Sequence, residues 1–93
     1  MPTPTSYGDV IAEKNGYQLI QDADGDLTID CDDPYNQLEL STKRKSGAYF
    51  VYVQTISIGY VSIDEATDLA SRIMDAVEAA SEFEAVLNNS KQY

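Results

Sequence analysis

Asp22, Asp24, Asp26, Asp30, Asp32 and Asp33 place six carboxylates within twelve residues. Acids at alternate positions are the hard oxygen donors of a calcium loop, so cation binding is the first chemistry to test against the spacing. An EF-hand loop has acids at positions 1, 3 and 5, glycine at 6 and glutamate at 12. Counted from Asp22, the three acids agree, but Leu27 and Asp33 stand where glycine and glutamate belong. The glycine, Gly25, comes two residues early. Aspartate and glycine are each favoured in turns for their own reasons. The stretch therefore reads as a hairpin turn bordered by an exposed acidic strand, and no metal or other cofactor is expected.

A second acidic series, Asp64, Asp68, Asp75, Glu78 and Glu82, advances in steps of four, seven, three and four. On a helix these side chains lie near one face, and the row runs for about 27 Å. Arg72 is the one base among them. Such a row can imitate the phosphates along a nucleic-acid strand. It can equally be the solvated outer face of a surface helix, with its first acids favoured by the helix dipole.

Catalytic chemistry finds little support. The chain has no histidine, which removes the commonest general base and the usual triads and metal ligands. It has no glycine-rich phosphate loop and no nucleophile elbow. The single cysteine, Cys31, sits among Asp30, Asp32 and Asp33, and neighbouring carboxylates disfavour a thiolate. No catalytic residue is assigned, and the expectation is a protein that is not an enzyme. Lys43, Arg44 and Lys45 form one basic cluster, which makes the molecule dipolar. Seven tyrosines and no tryptophan supply side chains with apolar area and a polar tip, suited to interfaces and to core edges alike. Tyr35, beside the first acidic stretch, is the candidate anchor.

Ninety-three residues with 43% apolar content make one domain with a modest core. Sixteen acids against six bases give a formal net charge of −10. Phosphate is repelled by such a surface, so nucleic acid and anionic membranes are disfavoured as direct partners and a basic protein is favoured. Solubility alone also selects acidic surfaces. The N-terminal residues lack the basic and apolar regions of a signal peptide, no apolar run is long enough to span a bilayer, and the lone cysteine suits a reducing compartment. The expected location is the cytoplasm.

The elements that would position these groups are read as α-β-β-β-β-α. Residues 1–5 are a lead-in expected to fray. Ser6 and Asp9 suggest a capped short helix, with Tyr7, Val10 and Ile11 on one face and Asn15-Gly16 at its end. The pair Asn-Gly is also a strong hairpin turn; the helix is preferred because the preceding run alternates poorly. Strands are expected at 17–21, 27–30, 37–42 and 48–58, with Lys43 to Gly47 as a turn. Leu38 and Leu40 point inward, and the last strand, with apolar groups on both faces, is expected to be central. Ser62 and Glu65 form a capping box for a helix from Ile63 to about Leu87. Its apolar set is Ala66, Leu69, Ala70, Ile73, Val77, Ala80, Phe83 and Leu87. Ser81 and Glu84 repeat the capping spacing and allow a break near residue 80. The polar tail from Asn88 is expected to fray. The expected fold is thus α+β: a short N-terminal helix, a four-stranded antiparallel meander, and a long C-terminal helix packed on the sheet.

In size, charge, element order and the acid clusters at 22–33 and 64–82, the chain resembles the small acidic inhibitors that phages encode against host nucleases, anti-CRISPR proteins among them. Immunity proteins to nuclease toxins share the same broad look. The resemblance implies an inhibitor that occupies a basic groove otherwise filled by DNA or RNA, in the host cytoplasm. Asp22, Asp24, Asp26, Asp30, Asp32, Asp33 and Tyr35 would supply one contact patch, and Asp64, Asp68, Asp75, Glu78 and Glu82 another. A different class remains open: a structural or adaptor module that binds through its sheet and aromatics, including as a homodimer.

Overall fold

A computed structural model of the chain describes residues 3–4, 8–54 and 59–89. Among these residues six strands, β1 (Thr3–Pro4), β2 (Asp9–Lys14), β3 (Tyr17–Gln21), β4 (Leu27–Cys31), β5 (Leu40–Lys45) and β6 (Ala48–Val53), precede one helix, α1 (Ile63–Asn89). All strand pairs are antiparallel. They form two sheets, β1-β2-β3-β4 and β5-β6. The expected lead-in at 1–5 lies outside the described residues apart from the backbone of Thr3 and Pro4. Ser6, Tyr7, residues 55–58 of the expected last strand, and residues 90–93 of the expected tail lie outside them too, whereas Asn88 and Asn89, expected to fray, belong to α1.

The expected N-terminal helix is overturned: residues 9–14 are strand β2, paired with β3. Asn15 and Gly16 have φ of 53° and 81°, the two left-handed residues of a type I′ turn that joins twisted strands directly. The poor alternation that suggested a helix has a local cause. Val10 pairs with Ile20, and Ala12 pairs with Leu19, so Ile11 is an extra residue in the strand. Such a bulge shifts the two-residue period by one, so that Ile11 and Ala12 both pack against the core while Val10 pairs with Ile20 outside it.

The four-stranded meander is overturned as well. β3 and β4 pair as expected, from Tyr17 opposite Cys31 to Gln21 opposite Leu27. β4 and β5 share no ladder. Between them the chain folds against other partners: the Leu38 carbonyl accepts a 2.6 Å hydrogen bond from the Tyr17 hydroxyl. β5 therefore begins at Leu40 rather than at residue 37, and Lys43, Arg44 and Lys45 belong to it. The turn is Ser46-Gly47 alone, again with two positive φ values, 54° and 84°.

β6 is not a central strand. Phe50 and Tyr52, on its outer face, are exposed, and its free edge is covered by side chains of α1. The Asn88 amide accepts from the Tyr49 N–H at 2.9 Å and donates to the Tyr49 carbonyl at 3.0 Å. Glu84 Oε2 accepts from the Val51 N–H at 2.8 Å. At Tyr49 and Val51 the helix thus supplies partners to an edge that would otherwise offer bare donors and acceptors.

α1 is one unbroken helix of 27 residues. Its start is the expected capping box: Ser62 Oγ accepts from the Glu65 N–H, and Glu65 Oε1 from the Ser62 N–H. Ser81 introduces no break. The core joins Tyr17, Leu19, Leu38, Leu40 and Val51 of the sheets to Ala76, Ala79, Ala80, Phe83 and Leu87 of the helix. Of the expected apolar set, only Ala80, Phe83 and Leu87 are buried. Ala76 and Ala79 take the other core places, and their small side chains let the helix backbone approach the strands.

Candidate acidic interface

The β3–β4 turn gathers Asp22, Asp24 and Asp26. Asp22 Oδ1 accepts from the backbone N–H of Asp24 and of Asp26, each at 2.9 Å, and the Asp22 N–H closes the loop on the Asp26 carbonyl. One carboxylate oxygen from each acid lies within 4.8 Å of the others. Three carboxylates are a partial ligand set for calcium, which takes six to eight oxygens. The hydrogen bonds of Asp22 already account for the shape of the turn.

The remaining acids of this stretch lie elsewhere. β4, five residues long, carries Asp30 and separates Asp32 and Asp33 from the turn by about 17 Å. Asp30 is exposed on the sheet face away from the helix, opposite Gln18. Asp32 and Asp33 begin the loop that packs on the Asn15-Gly16 turn, where the Asp32 N–H donates to the Gly16 carbonyl. Gln37 ties the two together: its Nε2 donates to the Asn15 carbonyl at 2.8 Å and its Oε1 accepts from the Asp33 N–H at 2.7 Å. Asp33 in turn accepts from Asn36 Nδ2 at 2.7 Å and from the Tyr35 N–H at 3.3 Å. Tyr35 stands at the loop tip, 93% exposed.

Asn15 extends this network to the helix. Its Nδ2 donates to the Asp75 carbonyl and to Glu78 Oε1, both at 3.0 Å. Arg72 Nη1 donates to the Asn36 carbonyl at 3.4 Å, and its Nε lies 3.3 Å from Asp68 Oδ2 in an ion pair that lacks hydrogen-bond alignment. The segment that carries Asp32 and Asp33 and the helix segment that carries Asp68, Asp75 and Glu78, spread over 47 positions of sequence, are thus held together at one end of the molecule through the Asp75 carbonyl, the Glu78 carboxylate and the Arg72 side chain. Glu13 and Lys14 join Asp32 around a cleft of about 470 Å³ at the same end. Asp64 lies at the start of the helix and Glu82 on its exposed side. Among the described residues, no hydrogen bond or ion pair brings these two or the Asp22–Asp26 turn into the cluster.

Sequence reading missed the residues that assemble this end, Asn15 and Gln37. Asn15 carried a turn signal only, and nothing in the spacing of Gln37 marks it. A groove of about 670 Å³ runs between β4 and the chain entering β5, lined by Ile29, Cys31, Pro34, Leu38 and Glu39. The thiol of Cys31 is pushed above its usual range by burial, and further by Asp30, Asp33, Glu39 and Asp32, which leaves it protonated and a poor nucleophile at neutral pH.

On the opposite hairpin, Lys43 Nζ sits 5.4 Å from the Tyr52 ring and the Arg44 guanidinium 5.6 Å from the Tyr49 ring. Lys43 and Arg44 of the basic cluster are therefore tied to the paired strand β6 by cation–π contacts. No helix among the described residues is long and apolar enough to cross a membrane. No protein-family model, curated protein or solved structure matches the chain.

Proposed function

We propose that this chain is a non-enzymatic inhibitor that binds a cationic, nucleic-acid-binding protein through the acidic end built by Asp32, Asp33, Asp68, Asp75 and Glu78. The observation that supports it is the Asn15–Gln37 network. It holds two separate acidic segments side by side and leaves Tyr35 free at their margin. Convergent carboxylates on a fixed scaffold attract a basic groove from a distance and speed association. An exposed tyrosine adds apolar area at the point of contact. The mode of action is that of an anti-CRISPR-like mimic: the acids take the place of phosphates in a groove built for DNA or RNA.

The test is affinity capture from nuclease-treated cell lysate, with bound proteins identified by mass spectrometry. The expected catch is a nuclease or another nucleic-acid-binding protein, released by salt and competed away by added DNA or RNA. Asp32→Asn combined with Asp75→Asn and Tyr35→Ala should abolish it. Asp24→Asn with Asp26→Asn, at the far turn, should slow association and leave the complex formed. Capture that survives the first triple variant would sink this reading.

Exposed Phe50 and Tyr52 on β6 favour a second reading, an adaptor that binds through its sheet. A salt-resistant partner with no nucleic-acid role, or a stable homodimer by light scattering, is the outcome that reading expects.

A further inference from the structure

A helix of 27 residues is about 40 Å long, whereas strands of five or six residues span about 17–20 Å. α1 therefore outruns the sheets, along a molecule whose longest dimension is 47 Å. No residue from Ile63 to Asp75 is buried. This half of the helix nevertheless carries large apolar side chains: Ile63 is 86% exposed, Met74 56%, Val77 42% and Ile73 41%. With Ala66 and Ala70 they follow one stripe, rotated by about 100° around the axis from the core face of Ala76, Ala80, Phe83 and Leu87. The stripe is thus a second apolar face. On its far flank, beyond Met74 and Ile63, come Glu78, Asp64, Glu82 and Asp75. Around the helix the order is core, exposed apolar stripe, acidic row.

We infer that this half of α1 docks an amphipathic helix of the partner protein, one whose apolar face is bordered by lysine or arginine. An apolar stripe at helical spacing is the surface that another helix covers. The flanking charges select the occupant, as the residues beside the seam do in coiled coils. A second copy of this chain is a poor occupant. Pairing the helices antiparallel about a two-fold axis sets the same flank of each against the other, so the acidic rows would face one another. A basic helix pairs with the same row. The inference rests on the reading of a basic partner and adds where, and in what form, that partner is held.

The probe is a synthetic amphipathic helix of leucine and lysine, about four turns long, with its leucine–glutamate counterpart as control. Backbone amide shifts of the labelled protein report the contact. Perturbation is expected along residues 63–78 with the lysine peptide and absent with the glutamate peptide. Ile73→Ser with Met74→Ser changes exposed residues, so melting should stay close to wild type. The double variant should weaken binding by about tenfold or more, the loss expected when a large apolar side chain is no longer covered. Shifts confined to Asp22–Asp26 or to Asp32–Tyr35, unchanged affinity of the double variant, or equal binding of both peptides would each overturn the inference. So would a wild-type dimer that the double variant dissolves. Lysate capture abolished by the Asp32, Asp75 and Tyr35 substitutions would still stand in each of those cases, so the two readings fail separately.

Discussion

Tyr17 shows what a single residue settles in this fold. It is 1% exposed, and its hydroxyl meets the Leu38 carbonyl at the point where the two sheets part. Removing the hydroxyl in Tyr17→Phe keeps the ring and leaves a buried carbonyl without its donor. The expected loss is about 1–3 kcal/mol, read as a lower urea midpoint at unchanged slope. The phenol is raised above its ordinary value, first by burial and then by Cys31. Its contribution is therefore complete below the usual tyrosine range and is lost as pH rises through the folded-state value. Tyr17→Phe should accordingly lose less stability on alkaline titration than the wild type does. An unchanged midpoint would show that Leu38 finds another donor. Sequence alone marked Tyr17 as an aromatic strand residue. The partner 21 positions away, which gives the hydroxyl its purpose, left no trace in the spacing.

At the scale of elements, what was legible depended on whether the signal was local. The α1 capping box is written within four residues and is found as read. β3, β4 and the β5–β6 hairpin are written in alternation and turn residues, and they too are present. Asn15-Gly16 serves as a helix end or as a hairpin turn, and the bulge at Ile11 erased the alternation that would have decided between them. The seam between β4 and β5 is tertiary: loop 32–37 makes its hydrogen bonds to the Asn15-Gly16 turn, to itself and to Arg72 of α1. The helix stripe misled for a related reason. Its period shows that apolar groups share a side, but not which half of the helix the sheets are long enough to cover. If only the second half is covered, amide hydrogen exchange should divide α1. Residues 66–72 should exchange several-fold faster than residues 76–87, because local opening there breaks no core contact. Uniform protection along the helix would mean that something in the molecule covers the first half.

The whole molecule sets two electrostatic effects against each other. A net charge of −10 on 93 residues repels itself in the compact state, and the acids gathered at one end concentrate that repulsion where Asp32, Asp33, Asp75 and Glu78 meet. Spacing in the sequence pointed to acid patches but misplaced their borders. β4 divides the run from Asp22 to Asp33, and the Asn15–Gln37 network joins one half of it to the helix. Whether such crowding serves solubility or binding is decided by what salt does. Raising ionic strength from about 0.01 M to about 1 M shortens the screening length from about 30 Å to about 3 Å. Self-repulsion weakens across that range, so the melting temperature of the free protein should rise. Attraction to a basic partner weakens too, so its association rate should fall steeply while its dissociation changes much less. In the Asp32→Asn, Asp75→Asn and Tyr35→Ala variant the melting temperature of the free protein should rise less with salt, since the variant relieves the crowded end itself. A melting temperature that climbs with salt while partner association stays constant would separate the two: the acidity would then act on the chain alone, and recognition would rest with the apolar faces of α1 and β6.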